Sequence, residues 1–300
     1  MGAGHGHGGH AGSRHRWRLA VSFGLVAAFF VVELAVGLAS GSLALISDAG
    51  HMAADVVALG AALVATKIAT RPDGTGRRTY GSYRAEVFAS GFTVLVMLGV
   101  SAYVVVEAVR RAGDEVEVAA GPMLVVGAIG LLVNLVCLLL LRGGAQESIN
   151  VNGAYLEVVA DAAGSVGVLV AGVLVRATGA PVWDTVVAVG IGVFVAVRAV
   201  LLGREVLAVL GQHAPQGLDL DAVVRDLEAV PGVAEVHDLH AWTLTSGMNV
   251  ATAHVVVRVG ADPQAVLTGT QAALREGHGI DHATLQVEAS KARECHAASW

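Results

Sequence analysis

The segment from Ser42 to Ala69 is the feature that most constrains how this chain can fold. It is apolar and long enough to cross a lipid bilayer, which takes about 20 mostly apolar residues in a helix. Its first half nevertheless carries Asp48, His51 and Asp55, which the 3.6-residue helical repeat places on one stripe. An ionisable side chain near the middle of a membrane helix costs roughly 2.5–3.5 kcal/mol or more. The stripe therefore predicts a bound cation or a water-filled path, with polar helix packing as the simpler alternative.

The composition of the whole chain is that of a membrane protein. Of its 300 residues, 55% are hydrophobic and 15% are charged, which is too apolar for an ordinary soluble domain. The net charge of −6 is modest, and the basic residues lack the clustering and interleaved aromatics of a nucleic-acid surface. Cys137 lies in an apolar run and Cys295 in the tail, so no structural disulfide is expected. The first apolar run lacks a cleavage-site pattern, so it is interpreted as a span.

Apolar runs of near-spanning length predict six transmembrane helices, at residues 19–40, 42–69, 86–109, 121–141, 154–176 and 182–202. Residues 1–18 are a Gly/His-rich tail that we expect to be disordered. The tail could bind metal loosely through four histidines, His5, His7, His10 and His15. Basic residues concentrate before the first run, between the second and third, and after the fourth. The positive-inside rule therefore predicts a multi-pass protein of the cell membrane with both termini in the cytoplasm.

The remainder of the chain has the pattern of a soluble domain. We predict a membrane domain over residues 19–204, a linker over 205–217, a soluble domain over 218–290 and a tail over 291–300. Within the soluble domain, helical and alternating periods follow one another in the order α-β-β-α-β. That order predicts a small cytoplasmic α+β domain with its helices on one face of the sheet.

A second apolar run repeats the anomaly of the first. Glu157 and Asp161 lie four residues apart, hence on one helical face, as do His51 and Asp55. Arg198 is expected near the cytoplasmic end of the sixth run, so no organic counter-ion is expected beside these groups. One histidine nitrogen and three carboxylates can supply the tetrahedral four-ligand site that Zn²⁺ prefers. The two pairs together therefore predict a divalent-cation site between two membrane helices.

Seven segments resemble the cation diffusion facilitator family of zinc and related divalent-metal transporters: SLALISDAGHMAADV, RRTYGSYRAEV, NGAYLEVVADAAGSVGV, VWDT, VHDLHAWTLTSG, ATAHVVV and HATLQVE. The resemblance covers nearly the whole chain beyond residue 18. It implies six transmembrane helices, a cytoplasmic ferredoxin-like domain, a homodimer, and metal efflux driven by proton entry. It also implies that the second and fifth helices form the transport site, which falls on His51, Asp55, Glu157 and Asp161.

The chain departs from the family pattern at two positions. Glu157 stands where the fifth helix usually carries a histidine, and Tyr83 where a loop of many relatives carries one. Two histidines and two aspartates carry a charge of −2, whereas one histidine and three carboxylates carry −3. The extra charge predicts that one carboxylate, Glu157 first, holds a proton when metal is bound or titrates near neutrality when it is not, and so carries protons alongside His51. Oxygen in place of nitrogen also weakens strict zinc selectivity, so Zn²⁺, Co²⁺, Cd²⁺ and Mn²⁺ all stay open.

The resemblance implies three metal ligands in the soluble domain, His237, His254 and His282, and two weaker candidates, Glu288 and Cys295. Ordinary surface or hydrogen-bonding histidines are the alternative. His240 lies three residues after His237 on one predicted strand, so the two are expected on opposite faces. In the membrane, Glu33 and Asp48 are interpreted as helix-packing or gating residues near the site.

These observations favour a secondary transporter that exports divalent cations in exchange for protons. A membrane-bound metal sensor with little flux is the alternative. An enzyme is not expected, since the chain lacks an H-E-x-x-H helix or another recognisable acid–base and nucleophile set. The expected partners are divalent metal ions, protons, membrane lipid and a second copy of the chain, without nucleic acid. Zn²⁺ or a related ion is expected as substrate, and also as a structural or regulatory ion in the soluble domain.

Overall fold

A computed structural model describes residues 16–69, 77–111, 117–145, 149–245 and 247–290. Two predictions fall outside the described residues: the histidines of the N-terminal tail, and the tail over 291–300 with its Cys295. The chain forms two compact units. The first unit runs up to Gly60 and resumes over Phe92–Leu201; the second combines Ala61–Gly91 with the chain from Leu202 onward.

Within the described residues, six helices are long and apolar enough to cross a membrane, as predicted. They are α1 (Arg16–Ser40), α2 (Leu43–Ala69), α3 (Ala85–Arg111), α4 (Ala120–Ala145), α5 (Ile149–Thr178) and α6 (Val182–Leu210). Many large apolar side chains point outward, for example Leu95 and Leu139, because lipid rather than water surrounds a membrane bundle. The sixth helix continues past residue 202, since a stop comes only at Gly211 and at Gln212, whose φ is 55°.

Small residues let the helices of the first unit approach closely. A Cβ at Gly130 would lie 2.6 Å from the ring of Phe29, so the α1 ring packs directly on the α4 backbone. Buried apolar side chains, among them Leu43, Met52 and Val104, complete the core of this unit. The close approach matters for function because it brings polar side chains of neighbouring helices within reach of one another.

A carboxylate from α6 caps the amino-terminal end of α2. Asp184 is fully buried and accepts hydrogen bonds from the Ser42 hydroxyl at 2.6 Å and the backbone N–H groups of Leu43 at 2.6 Å and Ala44 at 3.1 Å. The first N–H groups of a helix have no partner within the helix, so a cap from outside satisfies them. The negative charge also complements the positive end of the helix dipole.

Arg111, the last residue of α3, balances the charge of this cap. Its guanidinium lies 3.7 Å from Asp184 and donates to the backbone carbonyl of Gly41 at 2.7 Å. It also contacts Glu107 at 3.1 Å within its own helix. Helices α3 and α6 thus fix the start of α2, the helix that carries His51.

The soluble domain confirms the predicted α-β-β-α-β order, with α7 (Leu220–Glu228), β1 (Val233–Thr245), β2 (Met248–Val257), α8 (Pro263–His278) and β3 (His282–Glu288). The sheet order is β1-β2-β3, with an antiparallel β1/β2 pair and a parallel β2/β3 pair. Asp219 caps α7 and Asp262 caps α8. Buried side chains of both helices, such as Leu227 and Leu274, pack with those of the strands into one core.

We expect Asp184→Asn to destabilise the membrane unit by about 1–3 kcal/mol, because its NH₂ group cannot accept the hydrogen bonds that the second oxygen of this fully buried carboxylate accepts. Thermal unfolding of the purified protein in detergent measures the loss. Glu107→Gln is the matched control on the shared partner Arg111, and should cost only about 0.3–0.5 kcal/mol, as for a pair four residues apart within one helix. Equal melting temperatures for the two variants would contradict the capping role of Asp184.

Candidate metal centres

The predicted ligands of the membrane site meet between α2 and α5. His51 and Asp55 lie one turn apart on α2, with His51 Nδ1 3.8 Å from Asp55 Oδ2. From α5, Asp161 Oδ1 lies 3.6 Å from His51 Nε2. Ligand atoms of these three residues all lie within 4.8 Å of one another. Three of the four residues selected by helical spacing therefore lie together in space.

The geometry of this cluster fits a small divalent ion. Zinc bonds of roughly 2.1 Å in a tetrahedron place neighbouring ligand atoms about 3.4 Å apart. The two distances above involve different ring nitrogens of His51, of which one ion can use only one; with one atom taken from each residue, the three ligand atoms lie within 4.8 Å of one another. Each predicted residue also has a buried ligand atom without a hydrogen-bond partner among the described residues: His51 Nδ1, Asp55 Oδ2, Glu157 Oε2 and Asp161 Oδ1. Buried polar atoms are nearly always paired. Unpaired atoms converging from two helices are what a bound cation would satisfy.

The fourth predicted ligand, Glu157, contacts an arginine instead of joining the three-residue cluster. Its Oε1 accepts a hydrogen bond at 2.5 Å from the Arg198 guanidinium, whose Nη1 lies 3.3 Å from His51 Nε2. The expectation that no organic counter-ion lies beside the site is therefore wrong. With Arg198 present, the extra carboxylate no longer requires a proton to balance its charge.

The path of its side chain explains how Arg198 reaches the site. Side chains of a helix tilt toward its N-terminus, so the guanidinium extends back over Phe194, 5.9 Å from the ring centre. Phe194 in turn meets the His51 ring edge-on at 5.8 Å. The position of Arg198 near the end of an apolar run did not predict where its guanidinium lies, because the long aliphatic part of the side chain carries the charge away from the backbone.

Two cavities adjoin the cluster within the first unit. One of about 440 Å³ is lined by Asp55, Glu157 and Asp161 together with apolar residues of α1. Another of about 430 Å³ is lined by His51 and Asp48 with residues of α5 and α6. An ion in the cluster would thus lie beside open space on more than one side, which a permanent structural site does not need.

Glu33 and Asp48 are buried in the same unit but stand outside the three-residue cluster. They are 0% and 2% exposed, and their two carboxyl groups lie within hydrogen-bonding reach of each other. Asp48 packs against Gly164 of α5, where a Cβ would lie 2.1 Å from its carboxylate oxygen. Glycine at this position therefore lets a carboxylate of α2 lie against the backbone of α5.

A second cluster lies on the sheet of the soluble domain, where three ligand residues meet. His237 of β1 is the register partner of His254 of β2, so the two rings lie side by side, 5.2 Å apart. Glu288 of β3 lies 3.0 Å from His254 Nδ1 and 3.7 Å from His237 Nε2. Neither ring nitrogen of His237 has a hydrogen-bond partner among the described residues. Two imidazoles and a carboxylate form a ligand set that suits a zinc-like ion, and the unpaired nitrogens of His237 are available to bind it.

His282, predicted as the third ligand, does not reach this cluster. Because β3 runs parallel to β2, His282 pairs with Val250, four residues from His254 and therefore about 13 Å along the strand. Its ring lies against Tyr80 at 5.6 Å. The weaker candidate Glu288 takes its place in the cluster.

His240 is separated from His237 by an irregularity in the strand. The β1/β2 register shifts between them, and Asp238 has a φ of 52°, a left-handed conformation that aspartate tolerates. His240 is exposed and contacts Asp238 at 3.0 Å. It therefore takes no part in the cluster of His237.

Sequence reasoning missed two residues that shape the membrane site, Arg198 and Asp184. A carboxylate at the usual histidine position is the signal that could have pointed to Arg198, because a buried extra charge requires a partner. Asp184, in the VWDT segment, lies at the start of an apolar run, where a carboxylate favours a capping role. The helix it caps is a neighbour in space, which spacing within one segment does not reveal.

We expect Gly164→Ala to displace the Asp48 carboxylate, at a cost of about 1–3 kcal/mol for an overpacked core. The melting temperature in detergent and the affinity for Zn²⁺ should both fall. Gly99→Ala is the control, since nothing lies within 4 Å of a Cβ at that position. If Gly164→Ala matched this control in both measurements, the close packing of Asp48 on α5 would be wrong.

For the soluble domain we expect Glu288→Gln to weaken Zn²⁺ binding and His282→Ala to leave it unchanged. The loss should be at least the roughly 10- to 100-fold seen when an outer-shell partner of a metal is removed. Equilibrium dialysis measures it on the full chain carrying Asp55→Ala and Asp161→Ala, so that the membrane site does not contribute. The reverse result would restore His282 and exclude Glu288.

Comparisons with known proteins show which family the chain belongs to. The model of the cation efflux transmembrane domain matches residues 19–210, and that of the cation efflux protein cytoplasmic domain matches residues 215–290. The metal cation efflux system protein CzcD of Cupriavidus metallidurans is 40% identical over 99% of this chain and 94% of its own length. A solved structure titled as the metal-bound C-terminal domain of that transporter is 40% identical over 24% of this chain and 99% of its own, with a TM-score of 0.23.

Two further relatives match over nearly the full length. The cadmium, cobalt and zinc/H⁺-K⁺ antiporter of Bacillus velezensis is 33% identical, covering 95% of this chain and 92% of its own. The zinc transporter ZitB of Escherichia coli is 34% identical, covering 93% and 90% respectively. With matches of this extent in both parts, the chain belongs to the cation efflux family of multi-pass membrane proteins, the family of divalent-cation carriers that its segments resemble.

Proposed function

We propose that this protein is a secondary transporter that exports divalent metal cations from the cytoplasm in exchange for protons. The observation that carries the proposal is the set of unpaired ligand atoms that α2 and α5 bring together inside an apolar bundle. A cation is the partner such atoms lack, and the adjoining cavities give it space to enter and leave. The protein carries its substrate across the membrane without converting it.

Zn²⁺ is the favoured substrate, with Cd²⁺, Co²⁺ and Mn²⁺ as further candidates. His51 supplies a nitrogen ligand, which suits zinc and its neighbours better than it suits calcium or magnesium. The relatives named for cadmium, cobalt and zinc transport support the same range. Carboxylate oxygen is a harder ligand than histidine nitrogen. A site with three carboxylates therefore favours broad rather than strict selectivity among divalent metals.

The orientation follows from the distribution of basic residues. Lys67, Arg77, Arg84 and Arg142 flank the ends of α2, α3 and α4 on one side, which the positive-inside rule assigns to the cytoplasm. Both termini and the soluble domain are then cytoplasmic. The match to a cytoplasmic domain model supports this assignment.

We also propose that the chain works as a homodimer and that metal in the His237, His254 and Glu288 cluster regulates it. An ion there would tie β1, β2 and β3 together at one point and stabilise the domain when cytoplasmic metal is high. The domain would then respond to the same ion that the membrane site carries.

Asp55→Ala and Asp161→Ala should each abolish transport while the protein still inserts. Each removes a carboxylate from the site and leaves too few ligands to replace the hydration shell of the ion. Purified protein in liposomes with an imposed pH gradient, tested with Zn²⁺, Cd²⁺, Co²⁺ and Mn²⁺, measures the flux. Both variants should fall to the level of empty liposomes.

Asp221→Ala, an exposed carboxylate in the first turn of α7, is the control and should transport as the parent does. Normal flux from Asp55→Ala or Asp161→Ala at equal protein level would overturn the site. Metal binding without flux in the parent protein would instead identify a metal sensor.

A further inference from the structure

We propose that Arg198 is a tethered cation of the transport site, which occupies the unloaded site and is displaced when a divalent metal binds. This inference rests on the proposed function. It assigns a role in transport to a residue that does not bind the metal. It also makes Glu157 a ligand that becomes available only when Arg198 withdraws.

The position of the guanidinium is the first step of the argument. One nitrogen of Arg198 donates to Glu157 Oε1 at 2.5 Å, and another lies 3.3 Å from His51 Nε2. Arg198 therefore bridges a predicted ligand of α5 and a predicted ligand of α2. The same His51 nitrogen lies 3.6 Å from Asp161 Oδ1, so the guanidinium borders the space where an ion would contact both.

Hydrogen-bond chemistry then makes the arginine and the metal mutually exclusive. Arginine only donates, so His51 Nε2 must accept and carries a lone pair in this arrangement. A metal on Nε2 would use that lone pair. A metal on Nδ1 would leave the proton of the neutral ring on Nε2, which could then no longer accept from Arg198. Either mode of ligation requires Arg198 to release His51.

Charge gives the reason for the arrangement. The three carboxylates Asp55, Glu157 and Asp161 carry −3, and Arg198 brings the unloaded site to −3 + 1 = −2. A divalent ion then gives −2 + 2 = 0 if Arg198 stays nearby. A site with a second histidine in place of Glu157 would reach the same neutrality, −2 + 2 = 0, without an arginine. Glu157 and Arg198 together thus substitute for one neutral ligand.

The surroundings of Arg198 let it move aside. Its side chain is 28% exposed and that of Glu157 is 43% exposed, whereas His51 and Asp161 are 2% and 5% exposed. The ion pair therefore lies at the accessible edge of the site, and the deeper ligands lie behind it. Withdrawal breaks two contacts at this edge without placing the guanidinium in a more buried environment.

Arg198→Gln and Glu157→Gln give opposite expectations, which a purely structural ion pair would not. Without its tethered competitor the site should hold Zn²⁺ more tightly, so Arg198→Gln should lower the KM by at least about fivefold, the lower end of typical coupling between competing ligands. Slow release should lower its maximal rate as well. Glu157→Gln leaves Arg198 unpaired beside the site and should raise the KM.

Zn²⁺ flux into liposomes under an imposed pH gradient, measured over a range of Zn²⁺ concentrations, gives the KM and the maximal rate of each variant. Arg198→Lys keeps the charge but loses the two-nitrogen contact, so its KM should fall between those of the parent and Arg198→Gln. Arg204→Gln, which changes an exposed arginine on the same helix, should match the parent. The double variant Glu157→His with Arg198→Gln should recover the maximal rate lost in Arg198→Gln, because its unloaded site again carries −2.

The outcomes separate this inference from the proposed function. If Arg198→Gln transports at the parent rate with a raised or unchanged KM, the proposed role of Arg198 is wrong, while the proposed transport function stands. A double variant as slow as Arg198→Gln would overturn the charge argument. No Zn²⁺ flux from the parent protein would instead overturn the proposed function.

Discussion

Unpaired ligand atoms inside an apolar bundle are the constraint on which the rest of the structure depends. Taking a carboxylate out of water costs several kcal/mol even after the surroundings relax, and only good partners offset that cost. His51, Asp55, Glu157 and Asp161 each keep a buried atom without a hydrogen-bond partner among the described residues. A bundle with such atoms is stabilised when a cation pairs with them, either the guanidinium of Arg198 or a metal ion. Stability and transport are therefore two aspects of the same requirement in this fold.

The register between α2 and α6 converts this requirement into a defined geometry. Asp184 of α6 caps the start of α2, and one turn later the Ser47 hydroxyl donates to the Ala188 carbonyl at 3.1 Å. Contacts advance in the same direction along both helices, so they run in parallel and the next turns bring Phe194 and Arg198 against His51. The hydrogen bonds at these two levels, on the turns before His51, thus determine which side chain of α6 faces the ion site. An uncapped α2 could slide or rotate, and the arginine would lose its alignment.

Residue spacing predicted the parts of the molecule that depend on one segment at a time. Apolar length predicted six spans, and the four-residue spacing of His51/Asp55 and Glu157/Asp161 predicted two ligand pairs. Helices α2 and α5 bring all of these residues except Glu157 into one cluster. The spacing could not reveal that Arg198 reaches Glu157, because a long side chain places its charge far from its own position in the sequence. Nor could it decide between His282 and Glu288, since that depends on the parallel register of β3 on β2, which is a tertiary property.

A tethered cation also bears on which ions can pass. Three carboxylates alone would attract any divalent ion, including magnesium, which is abundant but releases its water reluctantly. An ion that enters must displace Arg198 from Glu157 and His51, so it has to gain more from these ligands than the guanidinium does. The His51 nitrogen gives zinc and its neighbours that advantage, since magnesium prefers oxygen. Only an ion with enough affinity for these ligands can therefore replace the arginine. The same exchange releases Glu157, which then serves as a further ligand of the bound ion.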